Sequence, residues 1–200
     1  MWRGTVGVML MTLLTTGGRM VNAQTGSPRI RPEDAAIRAL IDRGLERSAT
    51  FRDLNAGLDN ANVIVYVRLS PCSAGVPACL LWVSADTDAR RLLIKINRFG
   101  RSPDELTALL AHELQHANEV ASDSEITDLA SFQRSFASRG WKHSAGFETE
   151  EAGKISKRVA AELSRREIEA SPIPNRSLRA ARSAPLYALE YDSEITVCRK

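Results

Sequence analysis

The sequence contains two histidines four residues apart, with a glutamate directly after the first. The segment reads His112-Glu113-Leu114-Gln115-His116. On a helix, residues four apart lie about 6 Å apart along the axis and on the same side, so both imidazoles can reach one metal ion. The H-E-x-x-H order is typical of a zinc site in which the glutamate, here Glu113, is the general base. The alternative is a solvated helix with two surface histidines.

A catalytic zinc ion takes three protein ligands and keeps a fourth position for water, so the two histidines predict a third ligand elsewhere. The sequence offers three candidates, Glu119, His143 and Glu148. Glu119 would share a helix with both histidines, and three side chains spread over about 10 Å of one helix do not easily meet at one ion. Glu119 is therefore predicted to be a partner that orients the ligand His116.

Glu148 is the favoured third ligand because it begins an apolar stripe at helical spacing, so its carboxylate is expected to point inward. The stripe continues with Ala152, Ile155, Val159 and Leu163. A buried carboxylate needs a partner, and a divalent ion shared with the first helix would supply one. The alternative for Glu148 is a solvated acid in a first helical turn. His143, in the loop just before, is the alternative ligand or a donor to the transition state, unless it is an exposed loop histidine.

The helix that carries the motif has strong start signals. Ser102 can cap the helix, Pro103 suits the first helical position, and Glu105 completes a capping box. The helix is predicted to run to about Val120. If Leu106 marks the core side, both histidines fall on a flank about 80° to 120° away at 100° per residue. The histidines are therefore expected to border the core without belonging to it.

The remaining periodicity predicts an α+β fold, with a small antiparallel sheet of about three strands packed with the metal-binding helix and further C-terminal helices. The last two strands flank the turn-forming segment Asp86-Thr87-Asp88 and are expected to pair as an antiparallel hairpin. Strands are expected at residues 63–69, 80–85 and 92–99, and the other helices at residues 33–48, 124–137 and 146–170.

The first residues are typical of an export signal. Arg3 gives a basic start, residues 5–16 form an apolar run, and Val21-Asn22-Ala23 forms a small-x-small cleavage site. Exported protein would be periplasmic or secreted, and the alternative is a permanent membrane anchor. No later stretch is long and apolar enough to cross a bilayer. The expected organisation is a signal peptide at 1–23, a linker at 24–32, one domain at 33–170 and a segment without an assigned structure at 171–200.

Export to an oxidising compartment would allow the three cysteines to form a disulfide. Cys72 and Cys79 close a short loop, and Cys198 lies near the C-terminus. A disulfide between Cys72 and Cys79 is expected. Three free thiols and a Cys79–Cys198 bridge remain as alternatives, because connectivity cannot be read from spacing alone.

The charge of the chain does not suggest a nucleic-acid partner. There are 27 basic and 24 acidic side chains, and the expected signal peptide contains Arg3 and Arg19, so the remaining chain is nearly neutral. The basic pairs Arg90-Arg91 and Arg165-Arg166 are too short to follow a polyanion.

The motif and the layout of residues 62–168 resemble the zincin peptidases, and more narrowly the gluzincin type. In that type, H-E-x-x-H on one helix is completed by a glutamate on a later helix. The matching residues here are His112, Glu113, His116 and Glu148. Segments 110–116 and 147–149 are similar to those of small exported bacterial proteins. The glycine and third histidine of metzincins are absent, and Ala152 stands where thermolysin-like enzymes have an acid.

This resemblance implies a zinc hydrolase whose substrate is a peptide or protein. Glu113 would take a proton from zinc-activated water and pass it to the leaving amine. Residues 92–99 would form an edge strand that binds an extended peptide. Two alternatives from other classes are an exported non-catalytic domain that keeps zinc for structure or for binding a partner, and a helical interaction module without metal.

Overall fold

The computed structural model describes residues 28–143 and 146–170. The expected signal peptide, most of the expected linker, Cys198 and the C-terminal segment lie outside these residues. The described part confirms the α+β class. Its helices are α1 (Ala35–Arg47), α2 (Ala49–Asp59), α3 (Pro103–Ser122), α4 (Leu129–Arg139) and α5 (Glu150–Ala170). Its strands are β1 (Ile30–Pro32), β2 (Val63–Leu69), β3 (Ala78–Ala85), β4 (Arg90–Ile96), β5 (Trp141–His143) and β6 (Gly146–Glu148).

The main sheet has four strands in the order β1-β2-β4-β3 and is mixed. β1 pairs with β2, and β2 with β4, in parallel, whereas β3 and β4 form the expected antiparallel hairpin. The prediction of a three-stranded antiparallel sheet is therefore wrong. β4 lies between β2 and β3, so the two strands that the cysteine loop joins are not neighbours. The continuous buried run at the start of β2, Val63 to Val65, is typical of a strand in a parallel pair.

Two further strand predictions are corrected by this topology. β4 is an interior strand, so residues 92–99 do not provide a sheet edge; β1 and β3 are the edges of the described sheet. Ile30–Pro32, expected in the linker, forms β1, and the N–H of Val65 donates to the carbonyl of Arg29 at 2.9 Å. Three residues are too few to show a strand periodicity in the sequence.

The expected disulfide joins Cys72 and Cys79. It closes the loop between β2 and β3. Cys72 and Cys79 pack with Val76 and Leu81 in a small apolar cluster separate from the main core. The bond therefore holds the start of β3 to the segment that leaves β2.

α3 is the central helix of the molecule. It packs against the sheet on one side and against α5 on another, with α1 and α2 beside it. Every residue from Leu106 to Leu114 is buried, as in a helix surrounded by other elements. The expectation that both histidines border the core is therefore wrong, because they lie inside it. None of the described helices is long and apolar enough to span a membrane.

The helix boundaries follow local capping. α2 is not among the expected helices; Ser48 caps it by accepting the N–H of Phe51 at 3.0 Å. α4 begins later than expected, because Asp128 caps it by accepting the N–H of Ser131 at 2.7 Å. α5 also begins later, because Gly146–Glu148 pairs with β5.

Glu162 of α5 accepts three hydrogen bonds from the start of α2. The donors are Ser48 Oγ at 2.5 Å, Thr50 Oγ1 at 2.8 Å and Thr50 N at 3.2 Å. Glu162→Ala leaves two buried hydroxyls without this acceptor, and we expect it to lower the free energy of unfolding by about 1–3 kcal/mol at neutral pH. Urea unfolding measures the loss, and Glu151→Ala, exposed on the same helix, is the control.

This stabilisation is expected to depend on pH. Partial burial opposes the charge of Glu162, but the hydrogen bonds from Ser48 and Thr50 outweigh it and lower its pKa. A carboxyl with a lowered folded-state pKa stabilises the protein above its unfolded pKa, and the effect is lost as the pH falls below about 4. The stability difference between the unmodified protein and Glu162→Ala should therefore shrink in acid. A constant difference from neutral pH into acid would refute this interpretation.

Candidate metal centre

Three buried side chains from two parts of the chain converge beside α3. His112 and His116 lie one turn apart on α3, and Glu148 is the last residue of β6. Each is at most 1% exposed. One ligand atom from each residue lies within 4.8 Å of the other two. These three residues could hold a metal ion.

The distances from the Glu148 carboxylate to the two imidazoles are close to those between ligands of a tetrahedral ion. Oε1 of Glu148 lies 3.1 Å from Nε2 of His112 and 3.6 Å from Nε2 of His116. Two ligands bound to one tetrahedral zinc ion at about 2.0–2.1 Å lie about 3.4 Å from each other. These two distances bracket this value, so the Glu148 carboxylate lies close enough to each imidazole to share an ion with it.

The site contains buried polar atoms that find no hydrogen-bond partner in the described part of the chain. They are both ring nitrogens of His112, both carboxyl oxygens of Glu113, Nε2 of His116 and Oε2 of Glu148. His112 and Glu148 touch, but not with the geometry of a hydrogen bond. An unpaired buried polar group costs about 1–3 kcal/mol. A cation bound to both Nε2 atoms and to Glu148 would give these ligands a partner, so the residues fit a metal ion.

Glu119 contacts His116 through the other ring nitrogen. Oε2 of Glu119 lies 3.0 Å from Nδ1 of His116. Oε1 of Glu119 accepts from Thr149 Oγ1 at 2.8 Å and from Gln115 Nε2 at 3.3 Å. A carboxylate on the second nitrogen of a histidine is the usual arrangement around a ligating imidazole, because it fixes the ring and its tautomer. Glu119 therefore lies where an orienting residue is needed, outside the group of three ligand atoms.

Burial and mutual charge shift the pKa values of the whole group. Burial raises the pKa of Glu113 to about 8, although the charge of His116 acts in the opposite direction. Burial alone would lower the pKa of His116, but contacts with Glu119 and Glu148 outweigh it and raise the pKa to about 10. Burial would raise the pKa of Glu148, but contacts with His112 and His116 lower it to about 2. Burial is the main cause that lowers the pKa of His112. Metal binding would compete with the proton on His116.

Glu148 reaches the site from a strand rather than from a helix. It pairs with Trp141 in the β5–β6 hairpin, two residues before α5 begins. The alternative of a solvated first-turn acid is wrong, because the side chain is buried. The backbone of His143 lies in β5, but its side chain is outside the described part, so the prediction for His143 stays a prediction. The apolar stripe predicted to follow Glu148 is buried: Ala152, Ile155, Val159 and Leu163.

Aromatic rings connect the metal centre to the edge of the sheet. The ring of Phe136 meets His116 edge-on, with centroids 5.4 Å apart. Phe132 lies 5.0 Å from Phe136 and 5.7 Å from Trp82 of β3. This aromatic row leads from the edge strand to one of the candidate ligands.

Arg90, the first residue of the basic pair Arg90-Arg91, is buried and holds the end of α3. Its guanidinium donates to the carbonyl oxygens of Val120 at 2.7 Å and Asp123 at 2.6 Å. It also donates to the side chain of Asn62. A helix end leaves such carbonyls unpaired, and Arg90 satisfies them. The sequence gives no signal for this contact, because it depends on where β4 begins relative to α3.

Gly140 ends α4 and lies against the backbone that carries Glu148. A Cβ at Gly140 would lie 3.0 Å from the carbonyl carbon of Glu148 and closer still to its oxygen. We expect Gly140→Ala to displace Glu148 and to weaken metal binding by about tenfold to a hundredfold. Competition with a chelator measures the affinity. Gly153→Ala in α5, where a Cβ meets nothing within 4 Å, is the matched control. Equal affinities for the two variants would contradict this expectation.

Comparison of the chain with protein families, with curated proteins and with solved structures gives no match. The motif on α3 and the geometry of His112, His116 and Glu148 are therefore the basis for assigning a function to this site.

Proposed function

We propose that this protein is a zinc-dependent hydrolase that cleaves peptide bonds. The main support for this proposal is the environment of Glu113. This residue follows His112 on α3, and its carboxyl is fully buried and has no hydrogen-bond partner among the described residues. A purely structural metal site needs ligands but no such carboxyl, whereas a site that activates water needs a base beside the ligands.

Zinc is the proposed ion because of the donor set. Two imidazole nitrogens and one carboxylate oxygen, from His112, His116 and Glu148, are a typical set for a catalytic zinc ion. Imidazole donors disfavour calcium and magnesium, which prefer oxygen ligands alone. Three protein ligands also leave a fourth position for water.

The catalytic step is assigned to Glu113. A zinc ion at this site would supply a Lewis acid that lowers the pKa of water to about 7. Glu113 accepts the proton at a carboxyl oxygen as the water attacks the substrate carbonyl, and then delivers it to the leaving amine. Burial raises the pKa of Glu113 to about 8, and a nearby cation would lower it. Glu119 holds the ring of His116 during this step.

The proposed peptide-binding element is β3. In the described part of the sheet, β3 has a paired strand on one side only, so its free backbone groups can pair with an extended peptide. Val83 on this strand is 52% exposed. The aromatic row supports this assignment, because it connects Trp82 of β3 to His116 of the candidate metal centre. β3 therefore takes the role that the sequence analysis gave to residues 92–99.

A zincin-type fold is part of this proposal. It is supported by H-E-x-x-H on a central helix, a small mixed sheet on one side, and a glutamate from a later part of the chain. The arrangement differs from the gluzincin type in one respect. Glu148 precedes α5, whereas the gluzincin glutamate lies within a helix.

An exported location, periplasmic or secreted, is proposed on two grounds. The first is the expected signal peptide at residues 1–23. The second is the Cys72–Cys79 disulfide, because disulfides persist mainly in oxidising compartments.

One observation favours a second function, an exported domain that keeps zinc for structure or for binding a partner. Glu113 and the three candidate ligands are each at most 1% exposed. A structural zinc site is closed, whereas a hydrolase must admit its substrate to the metal.

Hydrolysis of a peptide library by the purified protein separates the two functions. The hydrolase is expected to cleave library members, to stop when a chelator removes zinc, and to recover when zinc is restored. Protein with a full zinc content that cleaves no peptide would favour the structural function. Protein that binds no zinc would contradict both.

A further inference from the structure

Thr149 lies between two residues of the metal centre and bonds to both. Its backbone N–H donates to Oε1 of Glu148 at 3.0 Å, and its hydroxyl donates to Oε1 of Glu119 at 2.8 Å. The same hydroxyl accepts the N–H of Ala152, in the first turn of α5, at 3.4 Å. The side chain is buried, with 6% exposed. One residue thus contacts a candidate ligand, the partner of another ligand and the start of a helix.

These contacts restrict both ends of the site. Glu119 uses one carboxylate oxygen for His116 and the other for Thr149, so the direction of the carboxylate, and with it the tilt of the imidazole, is fixed. On the other side, the N–H of Thr149 holds the Glu148 oxygen that lies nearest both histidines. His116 belongs to α3 and Glu148 to β6, so no backbone element joins them directly. Thr149 joins them through hydrogen bonds.

We propose that Thr149 is a positioning residue that sets the distance between two zinc ligands, His116 and Glu148. It acts on His116 through the hydrogen bond of its hydroxyl to Glu119, and on Glu148 directly through its backbone N–H. The inference rests on the proposed function only in requiring a metal ion at His112, His116 and Glu148. Thr149 touches neither the ion nor the substrate. It acts by keeping α3 and the β6–α5 junction in the arrangement that binds the ion.

A purely structural role for Thr149 makes a different prediction. A threonine before a helix caps it, and loss of a cap costs stability. If capping were the whole role, removal of the hydroxyl would lower the unfolding temperature and leave the metal affinity unchanged. Positioning predicts a loss of affinity at temperatures where every variant is folded, together with a changed coordination geometry.

The test compares Thr149→Val, which keeps the shape and removes the hydroxyl, with Thr149→Ser, which keeps the hydroxyl. Zinc affinity is measured by chelator competition on the full chain, and coordination by the visible absorption of the Co²⁺-substituted protein. Thr149→Val is expected to bind zinc about tenfold to a hundredfold more weakly and to change the tetrahedral Co²⁺ spectrum. Thr149→Ser is expected to restore both. Asp128→Ala, which removes the cap of α4, is the control for loss of a cap and should keep the affinity.

A double-mutant cycle with Glu119→Ala tests the route of the effect. If Thr149 acts on His116 through Glu119, the two losses of affinity are less than additive. Unchanged affinity and Co²⁺ spectrum in Thr149→Val would overturn the inference while the proposed function stands. If Thr149→Val and Thr149→Ala fail to fold and Thr149→Ser folds, the role is structural and the inference is likewise overturned. If the unmodified protein binds no zinc, or if His116→Ala binds zinc as tightly as the unmodified protein does, the proposed function itself fails.

Discussion

Glu113→Gln is expected to lower kcat/KM for peptide hydrolysis by about a hundredfold to ten-thousandfold and to leave the zinc content unchanged. Glutamine has nearly the shape of glutamate, so the packing around this fully buried side chain is kept. The amide cannot accept the proton that the carboxylate accepts. The three ligand residues are untouched. The measurement pairs zinc per chain with kcat/KM on a cleaved library peptide.

The control for this variant is Glu125→Gln, an exposed residue between α3 and α4, which should keep full activity. Full activity in Glu113→Gln would remove Glu113 from the mechanism. Loss of zinc together with activity would show that Glu113 acts on metal binding rather than on the chemical step.

His116→Ala and Glu148→Ala are each expected to abolish zinc binding and the stability that zinc provides. A ligand that binds only the folded state adds about 4 kcal/mol when its free concentration is a thousandfold above Kd. The unmodified protein should therefore gain a higher unfolding temperature on zinc addition, whereas the two variants should show no gain. Zinc content and thermal unfolding with and without zinc measure both effects.

Glu150→Ala is the matched control for Glu148→Ala, because Glu150 lies at the start of α5 with an exposed side chain. It should respond to zinc as the unmodified protein does. A normal zinc content in Glu148→Ala, with loss of zinc in Glu119→Ala or His143→Ala, would move the third ligand to one of those residues.

The part of the fold that the sequence predicted is the part set by local interactions. α3 starts where Ser102, Pro103 and Glu105 place it, with the capping box in position. The β3–β4 hairpin was predictable because a short turn joins its strands. α2 was missed although Ser48 caps it, because Ser48 also ends α1, and one residue between two helices gives no loop signal.

The sheet order could not be predicted, because it depends on contacts between distant segments. β4 lies between β2 and β3 because β4, rather than β3, pairs with β2. The spacing of the strands in the sequence does not indicate which of them pairs with β2. The same limit explains β6. Glu148 begins a helical apolar stripe in sequence, but Gly146–Glu148 pairs with β5 and forms a strand.

The sequence predicts the part of the site that the motif helix and the Glu148 carboxylate provide. His112 and His116 lie four residues apart on one helix, so their spacing alone predicts their common side. Glu148 is predictable because an inward-pointing acid needs a partner. The contact of Thr149 with Glu119 was not predictable, because it requires the β6–α5 junction to meet α3 in space.

Anomalous X-ray diffraction at the zinc absorption edge, from crystals of the purified full chain, locates a bound zinc ion. We expect one peak at about 2.0–2.2 Å from Nε2 of His112, Nε2 of His116 and a carboxyl oxygen of Glu148. A zinc-supplemented crystal with no peak between these atoms, or with its peak bound by other residues, would contradict it.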